Sequence, residues 1–122
     1  MVGNPGSGKS NFSRQLAELT GHELMEQDKY PSRDKLLKVV RALMEAGKSV
    51  IVDATHGAKA RRDELYAIAD KYDAVKRIFW MTRDGRAFNN LRDKPIPPVA
   101  YAVYTKRFAD PRDDGVPVEL VY

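Results

Sequence analysis

The stretch Gly3-Asn4-Pro5-Gly6-Ser7-Gly8-Lys9-Ser10 fills every position of the phosphate-binding pattern G-x-x-x-x-G-K-[ST]. Its three glycines allow consecutive backbone N–H groups to curl inward around a phosphate chain. The lysine can reach the β- and γ-phosphates of a nucleotide, and the serine hydroxyl can bind the Mg²⁺ ion that bridges them. The pattern therefore predicts that ATP or GTP binds with Mg²⁺. The predicted nucleotide-binding residues are Gly3, Asn4, Pro5, Gly6, Ser7, Gly8, Lys9, Ser10 and Asn11, with Ser10 as the metal ligand.

A helix is predicted directly after this loop, as the pattern requires. Phe12, Leu16 and Leu19 recur at helical spacing within residues 11–20. The positive end of the helix dipole would strengthen the attraction for an anion. The alternative is a glycine-rich turn that only connects two elements, and the predicted helix argues against it.

The composition indicates one globular domain. The chain has 122 residues, of which 43% are apolar and 31% charged, and no apolar run approaches the length of about 18 residues that a membrane span needs. Because the first residues already belong to the phosphate loop and no cysteine is present, we expect an intracellular protein without a membrane segment. The formal net charge of +4 suits a polyanionic partner but is also common in soluble proteins.

Strands and helices alternate along the chain, which predicts an α/β fold with a parallel sheet and helices on both faces. Only Met1 and Val2 precede the loop, so the first strand of this three-layer P-loop NTPase-type sheet is expected to be truncated. Further strands are expected at residues 23–27, 49–52, 75–80 and 118–122. Helices are expected between Pro31 and Gly47 and at residues 59–72, 84–91 and 101–108.

Two aspartates follow predicted strands and are the candidates for chemistry. Asp28 comes after the strand at 23–27, and Asp53 directly follows the β-branched run Val50-Ile51-Val52. Ligands of open α/β sheets bind at the carboxyl ends of the strands, so both carboxylates are expected beside the phosphate loop. Asp28 could accept the proton of an attacking hydroxyl, and Asp53 could hold Mg²⁺ or contact the acceptor. Helix capping is the alternative role for each of them.

From Gly3 almost to its end, the chain resembles the kinase domain of polynucleotide 5′-hydroxyl kinases, including the kinase half of polynucleotide kinase 3′-phosphatases. The phosphate loop alone would be generic, whereas the ordered set of motifs is much more specific. The resemblance rests on that loop, Asp28, the segment 47–56, Arg61-Arg62, Asn89-Asn90-Leu91-Arg92, Ile96-Pro97, the segment 104–108 and Asp110-Pro111.

This resemblance implies an ATP-dependent phosphotransferase that phosphorylates 5′-hydroxyl ends of DNA or RNA. It implies that Asp28 is the general base, that Lys9 serves the donor phosphates, and that Arg92 stabilises the transferring phosphoryl group. It further implies a nucleic-acid contact at Asp53, Thr55 and Arg62. Residues 1–122 would then form a single P-loop kinase domain with a basic, proline-rich lid around residues 92–98.

The chain also departs from the family. Members commonly carry an asparagine where this sequence has His56, and some carry an arginine where it has Pro31, for which Lys29 or Arg33 could compensate. No Asp-x-Asp phosphatase motif occurs, so 3′-phosphatase activity is not expected from this sequence. The role of His56 stays open, since a lone histidine is more often a loop or capping residue than a catalyst.

Three functions remain in competition at this stage. The first is the polynucleotide 5′-hydroxyl kinase, the second a kinase of the same fold with a small hydroxyl acceptor, and the third a nucleotide-binding module without turnover. The sequence does not decide between DNA and RNA or between single strands and duplex ends, because backbone contacts leave no short signature. It does not identify protein partners.

Overall fold

Two parallel ladders carry the fold of the computed structural model, which describes residues 1–3, 8–82 and 98–121. One ladder pairs β2 with β3 and the other has the order β1-β4-β5. The strands are β1 (Val2–Gly3), β2 (Glu23–Glu26), β3 (Val50–Asp53), β4 (Ile78–Met81) and β5 (Val118–Val121). The helices are α1 (Lys9–Thr20), α2 (Arg33–Glu45), α3 (Lys59–Lys71) and α4 (Pro98–Arg107), with 3₁₀ turns at Gln27–Lys29 and Pro111–Asp114. The predicted α/β fold with parallel strands is confirmed.

The short strand β1 is the edge strand of the second ladder, and its free side faces the end of β3. The nitrogen of Met1 donates a hydrogen bond of 3.1 Å to the carbonyl of Val52, and the N–H of Gly3 donates one of 3.0 Å to the carbonyl of Thr55. On its other side β1 pairs with β4, with Val2 opposite Trp80. The strand is as short as the sequence predicted, and it places the start of the phosphate loop at the middle of the sheet.

Helices flank both faces of the β2–β3 ladder, as the side-chain alternation of strands requires. Met25, Val50 and Val52 face α2 and α3, where they pack in or against the core cluster. Ile51 and Asp53 therefore point to the opposite face, and a side chain of α1 bonds Asp53 there. The core cluster on the first face consists of Met25, Leu36, Leu37, Val40 and Ile68.

The ends of α2 follow the expected local chemistry. The side chain of Ser32 caps the helix by accepting a hydrogen bond from the N–H of Lys35. Gly47 follows the helix with a φ of 78°, a left-handed conformation that glycine adopts without strain. These two residues fix the length of the helix between the carboxyl end of β2 and the start of β3.

Two predicted boundaries differ from the structure by three residues. The fourth strand begins at Ile78 rather than at residue 75, because its ladder partners are β1 and β5, and Val75 is 97% exposed ahead of them. Helix α4 begins at Pro98, three residues before the predicted start, since proline is well suited to a first helical position. The helix predicted at 84–91 and residues 92–97 of the predicted lid lie outside the described residues.

A cavity of about 750 Å³ lies between β3 and β4, on the side of Met1 that leads away from the phosphate loop. Its lining includes residues 47–52 and 74–79 and side chains of α1, α2 and α3. The cavity therefore lies between the two ladders, which are connected through the hydrogen bonds of Met1 and Gly3 to the end of β3. In the described ranges no helix is long and apolar enough to cross a membrane.

Candidate active site

A hydroxyl and a carboxylate meet where the phosphate loop enters α1. Gly8, with a φ of 92°, turns the chain into the helix, whose first residues are Lys9 and Ser10. The Oγ of Ser10 donates a hydrogen bond of 2.9 Å to Oδ2 of Asp53, the last residue of β3. Asp53 is only 5% exposed. The fold thus joins the last position of the loop pattern to the carboxyl end of a buried strand.

This pair of oxygen ligands fits a Mg²⁺ ion. Magnesium prefers carboxylate and other hard oxygen ligands, and it is usually held by one or two carboxylates together with substrate phosphates and water. Within residues 1–3, 8–82 and 98–121 there is no group of three or more His, Cys, Asp or Glu side chains that could hold a metal ion by itself. The donor set of Ser10 and Asp53 therefore suits a metal that arrives with a nucleotide.

Asp28 lies at the same edge of the sheet as Asp53. Strand β2 ends at Glu26, whose Cα is the register partner of Asp53, and Asp28 follows in the middle of the 3₁₀ turn. The strand is one residue shorter than predicted, so Asp28 sits on a turn beyond the strand end. Its side chain is exposed. The structure thus brings both predicted carboxylates to one edge, with Asp53 buried and Asp28 open to solvent.

Glu26 is a charged residue of this edge that the sequence analysis missed. It is 7% exposed, and its carboxylate contacts Nη2 of Arg14 at 2.9 Å and Nζ of Lys29 at 2.6 Å. Burial acts to raise the pKa of Glu26, but the bonds from Lys29 and Arg14 outweigh it and hold the pKa below its usual value. The sequence analysis placed the end of this strand at residue 27, whereas the strand ends at Glu26, so the strand-end position of this carboxylate was not identified.

Arg33 and His56 form a polar contact beneath the Asp28 turn. The guanidinium of Arg33 donates to the side chains of Gln27 and Glu64, each at 3.2 Å, and lies 3.1 Å from Nε2 of His56. The Nδ1 of His56 lies 2.7 Å from the carbonyl of Met1. A guanidinium can only donate hydrogen bonds, so Nε2 of His56 accepts the bond from Arg33. The proton of the ring is therefore on Nδ1, which donates to the carbonyl of Met1. The structure gives His56 a supporting place in the interior.

The charge state of His56 follows from these surroundings. Burial is the main cause that lowers its pKa well below the usual value, and the amino terminus and Arg33 add to the effect. Burial also lowers the pKa of the Met1 amino group to about 6. His56 is therefore neutral at physiological pH, in agreement with its role as donor to one carbonyl and acceptor from one arginine.

Arg62 and Thr55 lie in different environments. Arg62 is 2% exposed, and its guanidinium donates to the carbonyls of His56 and Gly57 at 3.0 Å each and to Asp114 at 2.6 Å. The hydroxyl of Tyr66 donates to the same Asp114 carboxylate. Thr55 is exposed, between Asp53 and this buried network. Of the three predicted nucleic-acid contacts, the structure places Thr55 at the surface and Asp53 and Arg62 in the interior.

Several predicted site residues lie outside the described residues, namely Asn4, Pro5, Gly6, Ser7 and Arg92. Of the two cations that could replace the missing arginine of the family pattern, Arg33 is held in the interior contact described above. The side chain of Lys29 is 69% exposed and stands next to Asp28. Its Nζ contacts the carboxylate of Glu26 at 2.6 Å, so each of these two cations is held in an ion pair.

Two curated relatives share a name. The chain is 32% identical over 123 residues to a protein of Acanthamoeba polyphaga mimivirus described as a bifunctional polynucleotide phosphatase/kinase, and the match covers 92% of the chain. It is 25% identical over 119 residues to a bifunctional polynucleotide phosphatase/kinase of Schizosaccharomyces pombe, with 91% covered. The chain spans 29% of the length of each of these relatives.

Solved structures with the same fold include kinases. A gluconokinase of Sinorhizobium meliloti 1021 superposes with a TM-score of 0.68 at 17% identity, over 98% of this chain and 79% of that one. Kti12 of Chaetomium thermophilum, in complex with ADP-AlF3, gives a TM-score of 0.72 at 19% identity, over 98% and 86%. Residues 1–89 match the family model described as an AAA domain. With its phosphate loop and parallel sheet, the chain belongs to this AAA domain family of P-loop proteins and has the fold of a P-loop kinase.

Proposed function

We propose that this chain transfers the terminal phosphoryl group of ATP to the 5′-hydroxyl end of DNA or RNA. The observation that carries the proposal is a common edge of the sheet. Ser10 at the end of the phosphate loop bonds Asp53 at the end of β3, and Asp28 lies in the turn after the neighbouring strand β2. Phosphoryl transfer depends mainly on positioning and on charge stabilisation, and this edge offers an oxygen pair for a metal and an exposed carboxylate for a hydroxyl.

The donor nucleotide would lie in the loop of residues 3–11. Lys9 and the N-terminus of α1 would bind the phosphates, and the oxygens of Ser10 and Asp53 would hold Mg²⁺. The chemistry that this ion would supply is positive charge against the β- and γ-phosphates. Asp53 is already oriented by the hydrogen bond from Ser10, so little ordering is needed when the metal nucleotide binds.

The acceptor hydroxyl would lie between Asp28 and the γ-phosphate. Asp28 accepts the hydroxyl proton while the oxygen forms a bond to the γ-phosphorus, and the bond from that phosphorus to the β–γ bridging oxygen breaks to release ADP. Arg92, which the resemblance assigns to this role, would stabilise the charge on the transferring group. Thr55 contacts the nucleic-acid end, and Arg62 supports that contact by holding the carbonyls of His56 and Gly57.

The names of the two curated relatives support a nucleic-acid acceptor. Both proteins are described as polynucleotide phosphatase/kinases, and each match covers more than nine-tenths of this chain. The residues in these roles are those on which the resemblance to polynucleotide 5′-hydroxyl kinases rests. The formal net charge of +4 is compatible with a polyanionic acceptor.

The test is transfer of label from γ-labelled ATP with Mg²⁺ to an oligonucleotide with a 5′-hydroxyl end. We expect labelling by the wild-type chain and near-background labelling by Asp28→Asn, which keeps the shape of the side chain but cannot accept the proton. An oligonucleotide with a 5′-phosphate serves as the matched acceptor control. Equal labelling by the wild type and the variant would remove Asp28 from its proposed role.

A kinase of a small hydroxyl acceptor is the second candidate, because the S. meliloti gluconokinase has the same fold. Salt separates the two. Contacts to nucleic-acid phosphates release counterions, so the KM for an oligonucleotide should rise steeply with added salt, whereas the KM for a neutral acceptor should not. Nucleotide binding without transfer to any acceptor would instead favour the module without turnover.

A further inference from the structure

We propose that Glu26 is a positioning residue that fixes the distance between the donor-binding helix α1 and the turn that carries Asp28. The inference rests on the proposed function, because it assigns Glu26 a role in aligning the base of that reaction. Glu26 is the last residue of β2 and the register partner of Asp53. It therefore lies next to Asp53 on one side and directly before the turn of Asp28 on the other.

One carboxylate holds both elements. Its Oε1 accepts from Nε of Arg14 at 3.1 Å and contacts Nη2 of the same guanidinium at 2.9 Å, so α1 is bound through a two-pronged contact. Its Oε2 contacts Nζ of Lys29 at 2.6 Å. Lys29 lies three residues after Glu26, and the ion pair therefore closes across the 3₁₀ turn with Asp28 inside it.

The burial of these side chains differs in a way that matters. The side chain of Glu26 is 8% exposed, whereas those of Arg14 and Lys29 are 57% and 69% exposed. A buried carboxylate requires its cations, because an uncompensated buried charge costs several kcal/mol. The buried carboxylate on the strand therefore fixes the positions of the two exposed cations.

The arrangement leaves Asp28 free to face a ligand while its backbone is held on both sides. Glu26 holds the turn through Lys29, and Arg33 holds it from below through the side chain of Gln27. The N–H of Tyr30 closes the turn with a bond of 3.1 Å to the carbonyl of Gln27. A shift of about 1 Å in a reacting group can change a rate by about 100-fold, so such a tie has consequences for the reaction.

The test compares Glu26→Gln, which keeps the size of the side chain and removes its charge, with the wild type. We expect kcat for oligonucleotide phosphorylation to fall by about tenfold or more, and the KM for ATP to change by less than about twofold, because Lys9 and Ser10 are untouched. Hydrogen exchange at the Tyr30 amide should become about tenfold faster, since the turn loses its tie. Asp63→Asn, which removes the carboxylate from an exposed ion pair with Lys59 on α3, is the matched control and should change neither readout.

A second variant keeps the proposal testable if Glu26→Gln folds poorly. Lys29→Met releases the turn but leaves the buried Glu26 carboxylate its contact with Arg14, and it should reproduce the loss of kcat and the faster exchange. Unchanged kcat and unchanged Tyr30 exchange in a folded Glu26→Gln protein would overturn the proposal while leaving the kinase function in place. Faster exchange in a chain whose wild type labels no oligonucleotide would support the tie and contradict the kinase function.

Discussion

The hydroxyl of Ser10 and the carboxylate of Asp53 are joined by a hydrogen bond of 2.9 Å, although the two residues are 43 positions apart in the sequence. One belongs to the helix that follows the phosphate loop and the other ends the strand next to β1. The bond fixes the positions of the two oxygen atoms that would hold Mg²⁺ in the proposed function. It is the contact on which the proposed metal site depends.

Removing either partner of this bond should weaken binding of ATP in the presence of Mg²⁺. We expect Ser10→Ala and Asp53→Asn each to lower the affinity by about tenfold or more, because loss of a ligand or of its orienting partner typically costs 10- to 100-fold. Since the two residues act together, the double variant should lose much less than the product of the single effects. Calorimetric titration with ATP gives these values.

The matched measurement uses the same proteins with EDTA in place of Mg²⁺. Binding of metal-free ATP should differ by less than about threefold between the wild type and both variants, since Lys9 and the N-terminus of α1 remain. Losses of equal size with and without Mg²⁺ would contradict a metal-binding role for this pair.

The positions of the two aspartates could be predicted because they depend on local patterns. The β-branched run before Asp53 indicates a buried parallel strand, and the carboxyl ends of such strands meet at one edge of the sheet. The start of β4 could not be predicted from the same kind of evidence. Val75 has the residue type of a strand but is 97% exposed, because ladder partners from distant parts of the chain decide where pairing begins.

The polar network of the site was also beyond the reach of local patterns. The contacts of Arg33 with Glu64 and His56 span 31 and 23 residues, and that of Arg62 with Asp114 spans 52. Which arginine of the pair at 61–62 is buried depends on the rotation of α3 against its neighbours, not on residue type. Glu26 is different, since the predicted strand at 23–27 already placed it one residue from the strand end, and only its partners could not be predicted.

Loss of the buried ion pair between Arg62 and Asp114 should strongly destabilise the fold. The side chains are 3% and 1% exposed, so Arg62→Leu leaves a buried carboxylate without its cation. Removing one partner of such a pair costs about 3 to 5 kcal/mol of unfolding free energy. Urea unfolding followed by circular dichroism measures this loss.

The exposed ion pair of Lys59 and Asp63 provides the control. Its side chains are 53% and 48% exposed, and Lys59→Ala should cost no more than about 1 kcal/mol. A loss below about 1 kcal/mol for Arg62→Leu as well would mean that the pair is hydrated in solution.

Gly57 is a position at which even one methyl group should be harmful. A Cβ there would lie 2.7 Å from Cε2 and 2.9 Å from Cδ2 of Tyr104, while the carbonyl of Gly57 accepts a hydrogen bond of 2.7 Å from Ala109. Gly57→Ala should therefore push α4 away and reduce the unfolding free energy by about 1 to 3 kcal/mol. Chemical denaturation of the variant measures the effect.

A second substitution shows whether the clash is the cause. Combining Gly57→Ala with Tyr104→Leu removes the edge of the ring. The double variant should lose less unfolding free energy than the two single variants lose together. Additive losses would contradict the ring contact as the cause of the destabilisation.

The neutral state of His56 predicts how stability depends on pH. Its pKa in the folded chain is well below 6.5, so between about pH 6.5 and that lower value the unfolded chain binds a proton that the folded chain does not. Stability should therefore fall as the pH is lowered through this window. His56→Gln should make the dependence of the melting temperature on pH shallower below about pH 6.5, whatever its effect at pH 8.

Thermal melts between about pH 5 and pH 8 test this expectation. The amino group of Met1, with a pKa lowered to about 6, adds a fall of the same sign between pH 8 and pH 6 that persists in the variant. His22→Gln, at an exposed site, is the matched control substitution. Identical slopes for His56→Gln and the wild type would contradict the buried neutral state.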